Sequence, residues 1–390
     1  MRPLFLFLAV FSAAINLRAG MASVGPVLDS VTEFYGAPAS LGGIVTALPG
    51  LMFCVVGLTA VPLARRVGLT PALTAAAGAC TLGLCLRPFA PEMALFILAT
   101  VGAAGGIALG NVLLPSWIKQ YGGRHIVSLT AVYSVSLSMS AAFGPLSALM
   151  TGSWRIALGV WGMLAAVQLL VWWWAVAQVG VDKPRGDVEG ADVKIPMYRS
   201  RTAVALMLFF GLQSMNAYIQ MGWLPSIFSA QGASPGQGAL GLAVIGLIGA
   251  GGGLTLPTVV ARARTLTPLV VVFGLLSATG YMGILFLPGH AILWSAVLGF
   301  GGWCFPLALA LIPARTRSAL TTARLAGFVQ PVGYALAAAG PLAVGVAYDA
   351  VGSFTPILVT LSVLALVMGA LGSVASRNIY IEDELSSSER

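Results

Sequence analysis

Twelve stretches long and apolar enough to cross a bilayer constrain this chain more than any other feature. They fall at 4–28, 39–63, 71–90, 93–117, 126–150, 155–178, 202–226, 238–260, 268–288, 291–312, 325–348 and 354–376. A helix needs about 20 mainly apolar residues to span a hydrocarbon core of about 30 Å. A barrel strand is shorter and alternates, so helices are predicted. Of the 390 residues 58% are hydrophobic and only 8% are charged, against about 25% charged in soluble domains. The first stretch is too long for the apolar part of a signal peptide, contains Arg18 and lacks a cleavage-like ending. An all-α membrane protein with little mass outside the bilayer follows. That leaves no room for an ATPase domain and excludes a nucleic-acid-binding domain. The net charge of +8 then reads as an orientation signal.

The basic residues test the count. With a cytoplasmic N-terminus, every Lys and Arg except Arg18, Arg87 and Arg155 falls in a cytoplasmic loop or end. This is the asymmetry that the positive-inside rule expects, and a missed or invented span would scramble it. The longest polar stretch, 179–200, carries Asp182, Lys183, Arg185, Asp187, Glu189, Asp192 and Lys194. It reads as a solvated linker between two six-helix bundles, 1–178 and 201–376, and the acidic, Ser-rich end from 377 to 390 reads as a loose cytoplasmic tail.

The two halves repeat. Ala64-Arg65-Arg66-Val67-Gly68-Leu69-Thr70-Pro71 after the second span matches Ala261-Arg262-Ala263-Arg264-Thr265-Leu266-Thr267-Pro268 after the eighth at Ala, Arg, Leu, Thr and Pro. Gly144-Pro145-Leu146 in the fifth span matches Gly340-Pro341-Leu342 in the eleventh. Two parallel six-helix pseudo-repeats about an axis along the membrane normal place a solute site between them, near the midplane.

Arg18 lies slightly past the middle of the first span. An Arg there costs about 2.5–3.5 kcal/mol on insertion scales. Asp29, Glu33, Glu92 and Asp349 sit at outer ends or loops, and no other acidic residue lies within a span. The interior therefore holds one fixed positive charge without an evident counterion. Two readings follow: an anion-binding site built on its donor fork, or a structural Arg satisfied by backbone carbonyls or by Asp29. Asn16, Asn111, Tyr133, Gln330 and Tyr334 lie at similar depth. So does a cluster in the seventh span, Gln213, Ser214, Asn216, Tyr218 and Gln220. These polar groups suit a solute cavity, although each suits a helix–helix contact equally well. Trp223 and the deeper Trp303 are candidate gate residues, with an interfacial belt and simple packing as the alternatives. Gly102, Gly106 and Gly110, and likewise Gly249 and Gly253, predict close helix packing. Trp172-Trp173-Trp174 predicts an interfacial belt. The cysteines Cys54, Cys80, Cys85 and Cys304 form no CxxC pair or Cys/His cluster, so neither a metal site nor a cofactor is expected.

Several of these segments together resemble the cyanate/2-nitroimidazole transporter family of the major facilitator superfamily. They are Asn16-Leu17-Arg18-Ala19 with Val24-Gly25-Pro26, Asn111-Val112-Leu113-Leu114-Pro115, Trp154-Arg155, Trp223-Leu224-Pro225, and Gln330 with Gly333-Tyr334 and Gly340-Pro341. The resemblance spans nearly the whole chain and implies secondary transport of small anions or compact polar organic solutes. One departure concerns Arg65-Arg66-Val67-Gly68-Leu69-Thr70, which lacks the Asp and the later basic pair usual in this loop of the superfamily. A gating latch built on that Asp does not carry over.

The expected function is alternating-access transport of a small monoanion or weakly acidic solute, with a multidrug or metabolite exporter of the same fold as the alternative. A membrane receptor without transport is a more distant rival. Proton relays need a titratable group, and Arg, with a pKa above about 12, is a poor carrier. Facilitated diffusion, exchange or coupling through the solute's own protonation is therefore expected. No paired carboxylates or activated nucleophile point to an enzyme. A monomer in the inner (plasma) membrane, both termini cytoplasmic, with a small solute and lipid as its partners, completes the expectation.

Overall fold

The computed structural model describes residues 2–150, 152–182, 196–263, 265–317 and 319–387. Lys183, Arg185, Asp187, Glu189, Asp192, Lys194, Arg264 and Arg390 of the predicted inner-side charges lie outside the described residues. All regular structure among the described residues is helical, as hydrocarbon demands, because a spanning helix satisfies its own backbone polar groups. Among the described residues twelve segments are long and apolar enough to cross a membrane: Pro3–Phe34, Ala39–Val67, Leu69–Phe89, Met93–Tyr121, Ser128–Leu149, Trp154–Val179, Arg201–Ala230, Gly236–Val260, Thr267–Phe286, Pro288–Ala314, Arg324–Val351 and Thr355–Ala375. They are numbered here as spans one to twelve. The even count puts both ends of the chain on one side, the terminal face; the opposite side is the far face.

Two spans are broken where the sequence reading had them continuous. Span one is a helix to Ala22, a tight turn over Gly25–Val27 and a second helix, Leu28–Phe34. Pro26 has no N–H to continue the ladder. Span ten divides into Ala291–Gly301 and Cys304–Ala314, at the Gly301-Gly302 pair. The freed Gly302 carbonyl accepts from Phe305 N at 3.0 Å and from Gln213 Nε2 at 3.4 Å.

Small residues set the packing. A Cβ on Gly106 would collide with the span-three backbone at Ala76 and Cys80, so this glycine allows the close approach of spans three and four. Gly249 and Gly253 do not behave this way: no atom lies within 4 Å of where their Cβ would be. The tryptophan triplet also divides, because a helix turns each residue about 100° from the last. Trp172 is fully buried, 5.0 Å from Trp117, whereas Trp173 and Trp174 are exposed.

The halves touch at the far face and part toward the terminal face. At Gly43 in span two a Cβ would lie 2.8 Å from the Pro341 carbonyl of span eleven, and at Gly345 one would lie 2.7 Å from the Ala39 carbonyl. Asp349 of span eleven reaches across and caps span two, accepting from Ala39 N at 2.9 Å and from Ser40 N at 2.8 Å. A carboxylate at a helix N-terminus is favoured by the unpaired N–H groups and the dipole there. Ser226 of span seven donates to Asp29 of span one at 2.6 Å. Nearer the terminal face, Gly57 of span two and Gly327 of span eleven meet nothing within 4 Å.

Both polar connections expected to be solvated or loose are anchored where they are described. Asp182, at the start of the linker, accepts from Thr70 N at 2.7 Å, Thr70 Oγ1 at 2.8 Å and Tyr121 Oη at 2.7 Å. A carboxylate therefore caps span three although the preceding loop lacks its acidic residue. The tail forms a helix, Ile381–Ser387, with Ile381 buried in the second bundle. Arg317 pairs with Asp383 at 2.8 Å. Glu384 accepts from Ser200 Oγ at 2.6 Å, Thr202 N at 3.1 Å and Thr202 Oγ1 at 2.8 Å. These bonds tether the tail to the start of span seven, which explains why it is not loose.

Burial alone opposes ionisation of Glu384, but the bonds from Ser200 and Thr202, with the charge of Arg201, outweigh it and hold the carboxyl below its ordinary value. Its contribution is thus complete above the ordinary Glu range and is lost as pH falls through the lower folded value. Hydrogen bonds to a charged group are worth about 1.5–3 kcal/mol. Glu384→Gln is expected to increase amide exchange over 381–387 roughly tenfold or more at neutral pH. The natural chain should show the same release only on acidification. Equal protection in both chains at pH 7 would show that Glu384 does not hold the tail.

Candidate substrate site

Among the described residues the interior positive charge of Arg18 forms no hydrogen bond or ion pair. The backbone carrying it is held by span five: Ser140 Oγ accepts from Arg18 N at 3.2 Å and from Ala19 N at 2.7 Å. The Arg18 side chain is exposed and has no hydrogen bond or ion pair among the described residues. Its guanidinium carbon lies 5.9 Å from the ring centre of Phe305, on the second half of span ten. Its charge also acts on Tyr133 of span five, Tyr218 of span seven and Tyr334 of span eleven. These neighbours come from both halves, so the guanidinium stands between the bundles. Of the two sequence readings, the structural one finds no support here, since Asp29 is engaged by Ser226 instead.

The remaining predicted residues divide into two groups. Tyr133 donates to Asn111 Oδ1 at 3.5 Å, and the Asn111 amide donates to Ile107 O at 3.0 Å. Tyr334 stacks on Phe53 of span two at 5.0 Å and meets Phe210 of span seven edge-on at 5.2 Å. Gln330 lies one turn nearer the terminal face, half-buried, on the same side of span eleven. Arg18, Asn111, Tyr133, Tyr218, Tyr334 and Gln330 thus form one constellation.

Asn16, Gln213 and Asn216 stand apart from it. Asn16 is two residues from Arg18, about 200° round the helix. It is buried and donates to Ser12 O at 3.1 Å. Gln213 is buried against the break in span ten. Asn216 accepts from Tyr281 Oη inside the second bundle. All three are buried polar residues that helix rotation turns into their own halves.

The tryptophans differ in the same way. Trp223 is buried at the far-face contact and donates to Pro341 O at 3.0 Å. Trp303 donates to Ile248 O at 2.8 Å and packs over Gly252, so it fastens span ten to span eight.

Sequence reasoning missed Phe305, Phe53, Phe210 and Ser140. An aromatic or hydroxyl residue inside an apolar run carries no periodic signal. The Gly301-Gly302 pair before Phe305 marks the break that turns this ring toward Arg18. Arg87, expected on the outer side, lies in the turn between spans three and four, and its side chain is fully buried, donating to Gly20 O at 3.1 Å, with its ring neighbour Phe96 at 5.9 Å. Span three ends in a tight turn, Arg87–Phe89, which folds the side chain back into the first bundle.

Two helical bundles that meet at the far face, with the Arg18 guanidinium between them, are the architecture of a polytopic membrane transporter. The sequence profile of the Major Facilitator Superfamily matches residues 6–323, and the chain belongs to that superfamily. It is 32% identical to the 2-nitroimidazole transporter of Escherichia coli (strain K12) over 383 residues, 96% of this chain and 95% of that one. It is 25% identical to the cyanate transport protein CynX of the same organism over 355 residues, covering 90% and 91%. The crystal structure of a bacterial homologue of the human lysosomal transporter Spinster, inward-facing and unoccupied, aligns with a TM-score of 0.73 over 100% of this chain and 98% of that chain, at 15% identity. That similarity carries the fold. The family resemblance read from Arg18, Asn111, Gln330 and their neighbours is thereby upheld, and the matched proteins are transporters rather than enzymes.

Proposed function

We propose that the chain moves a small monoanion, or a compact weakly acidic organic solute, by alternating access, and that Arg18 is its electrostatic anchor. One observation carries this reading: an exposed guanidinium inside a span, without protein partners among the described residues, faced by aromatic residues of both halves. A charge kept in the membrane interior at such cost has a purpose when a solute supplies the counterion. Tyr133 and Asn111 on one half, with Tyr218, Tyr334 and Gln330 on the other, would orient the solute by hydrogen bonding. A flat conjugated anion gains more than a spherical one, because Phe305 and the tyrosines offer ring faces and edges. The names of the two relatives agree with a solute of this size and charge.

The excess of basic residues at the terminal face supports a cytoplasmic location for both termini. On that reading the halves part toward the cytoplasm. With Asp29 and Asp349 engaged at the far face, no carboxylate among the described residues pairs with Arg18. Facilitated diffusion, exchange or coupling through the solute's own proton is the corresponding mechanism.

The test is uptake into proteoliposomes containing the purified chain. Cyanate, a nitroimidazole and benzoate are compared with organic cations of similar size. Saturable, mutually competitive uptake of the anionic or weakly acidic members is expected. Uptake of lipophilic cations with none of the anions would overturn the reading in favour of an exporter of such cations.

A further inference from the structure

A cavity of about 270 Å³ lies at the far face, separate from the Arg18 constellation. Its lining includes Asp29 and Thr32 of span one, Trp223 and Ser226 of span seven, Tyr348 of span eleven and Phe354 at the start of span twelve. The rings are contiguous. Tyr348 stacks on Phe354 with centres 4.3 Å apart and planes at 27°, and Trp223 meets Phe354 at 6.3 Å. Asp29 is the one charged residue of the lining. Its Oδ1 accepts from Ser226, and Oδ2 has no hydrogen bond among the described residues.

We propose that this cavity is a second binding site, for a small organic cation of the ammonium class. Ring faces carry negative potential and attract a cation within about 6 Å of their centres, and they do so most strongly when the cation is poorly hydrated. Quaternary and aryl-substituted ammonium groups meet that condition. The Asp29 carboxylate, with Oδ2 unengaged among the described residues, adds an acidic group to the same cavity, and no Lys, Arg or His of the lining opposes it. The site is thus opposite in sign to the one at Arg18 and does not serve as a waiting place for the same solute.

The walls belong to both halves, and their contact exists only while the far face is closed. A ligand that binds this arrangement more tightly than the open one shifts the population toward it. An occupying cation therefore holds the transporter with its far face shut and slows uptake. Binding itself does not depend on the role given to Arg18; the slowing of anion uptake rests on that reading.

The experiment measures thermal stability of the full-length chain in detergent during titration with phenyltrimethylammonium chloride. Sodium chloride and the uncharged 3,3-dimethylbutan-1-ol serve as comparators. A saturable rise in Tm is expected with the ammonium salt alone. Its midpoint should move at least about tenfold higher in Asp29→Asn and in Tyr348→Leu, and stay unchanged in Arg18→Ala. Asn keeps an acceptor for Ser226, and Tyr348→Leu tests the aromatic wall independently if the other variant folds poorly. No rise in the natural chain, an equal rise with the alcohol, or a midpoint that depends on Arg18 and not on Asp29 would each overturn the proposal. Anion uptake measured without the ammonium salt reports on the Arg18 reading alone, so the two can fail separately.

Discussion

Arg18→Ala should abolish saturable anion uptake while leaving Tm unchanged or higher. The two readouts move apart because of what surrounds the side chain. No protein group among the described residues loses a bond when the guanidinium is removed, and an intramembrane charge costing about 2.5–3.5 kcal/mol disappears with it. The solute, in contrast, loses a charge-assisted donor fork. Such bonds are worth about 1.5–3 kcal/mol, roughly a 10- to 150-fold loss of affinity before any effect on the cycle. Arg18→Lys keeps the charge but presents a compact ammonium in place of the planar fork, so intermediate affinity is expected. Solute-dependent stabilisation of the purified variants gives affinity, and proteoliposome flux gives rate. A large drop in Tm with unchanged affinity would make Arg18 a structural residue.

Gly43→Val should shift the conformational equilibrium toward an open far face. A single Cβ there would lie 2.8 Å from the Pro341 carbonyl, and a branched side chain adds two further methyl groups. The obstacle is backbone, which yields less readily than a side chain. Overpacking of this kind costs about 1–3 kcal/mol, which disfavours the closed far face roughly 5- to 150-fold. Spin labels at Ser30 on span one and Ala230 on span seven, both exposed, would report the separation. Their distance should lengthen in Gly43→Val and uptake should fall. Gly57→Val, about four turns beyond Gly43 on the same helix, meets open space and should leave the distance as it is. An unchanged distance in Gly43→Val would show that the glycine contact does not govern closure.

The spans and the division into two halves were legible because each depends on residues near one another in the chain. Twenty apolar residues in a row are a membrane helix whatever their neighbours, and the basic residues sort by loop. The depth of Arg18 and the lack of acidic residues beside it were legible for the same reason. Rotation was not. Asn16 and Arg18 lie two residues apart, yet one is buried in its own bundle and the other faces the second half. The signal that separates Asn216 from Tyr218 is equally slight, because hydrophobic periodicity fades in helices that are apolar on nearly every face.

Sequence alone thus determined the twelve-helix membrane class, the two halves and the stranded positive charge, since hydropathy and charge order are properties of the chain itself. Tertiary structure decided which polar groups join Arg18 and how the far face closes through Asp29 and Asp349. It also decided that Arg87 turns inward and that the acidic tail docks on span seven. Each of these outcomes joins residues from separate spans or loops, some more than 300 positions apart. Only the packed arrangement brings them within reach of a hydrogen bond.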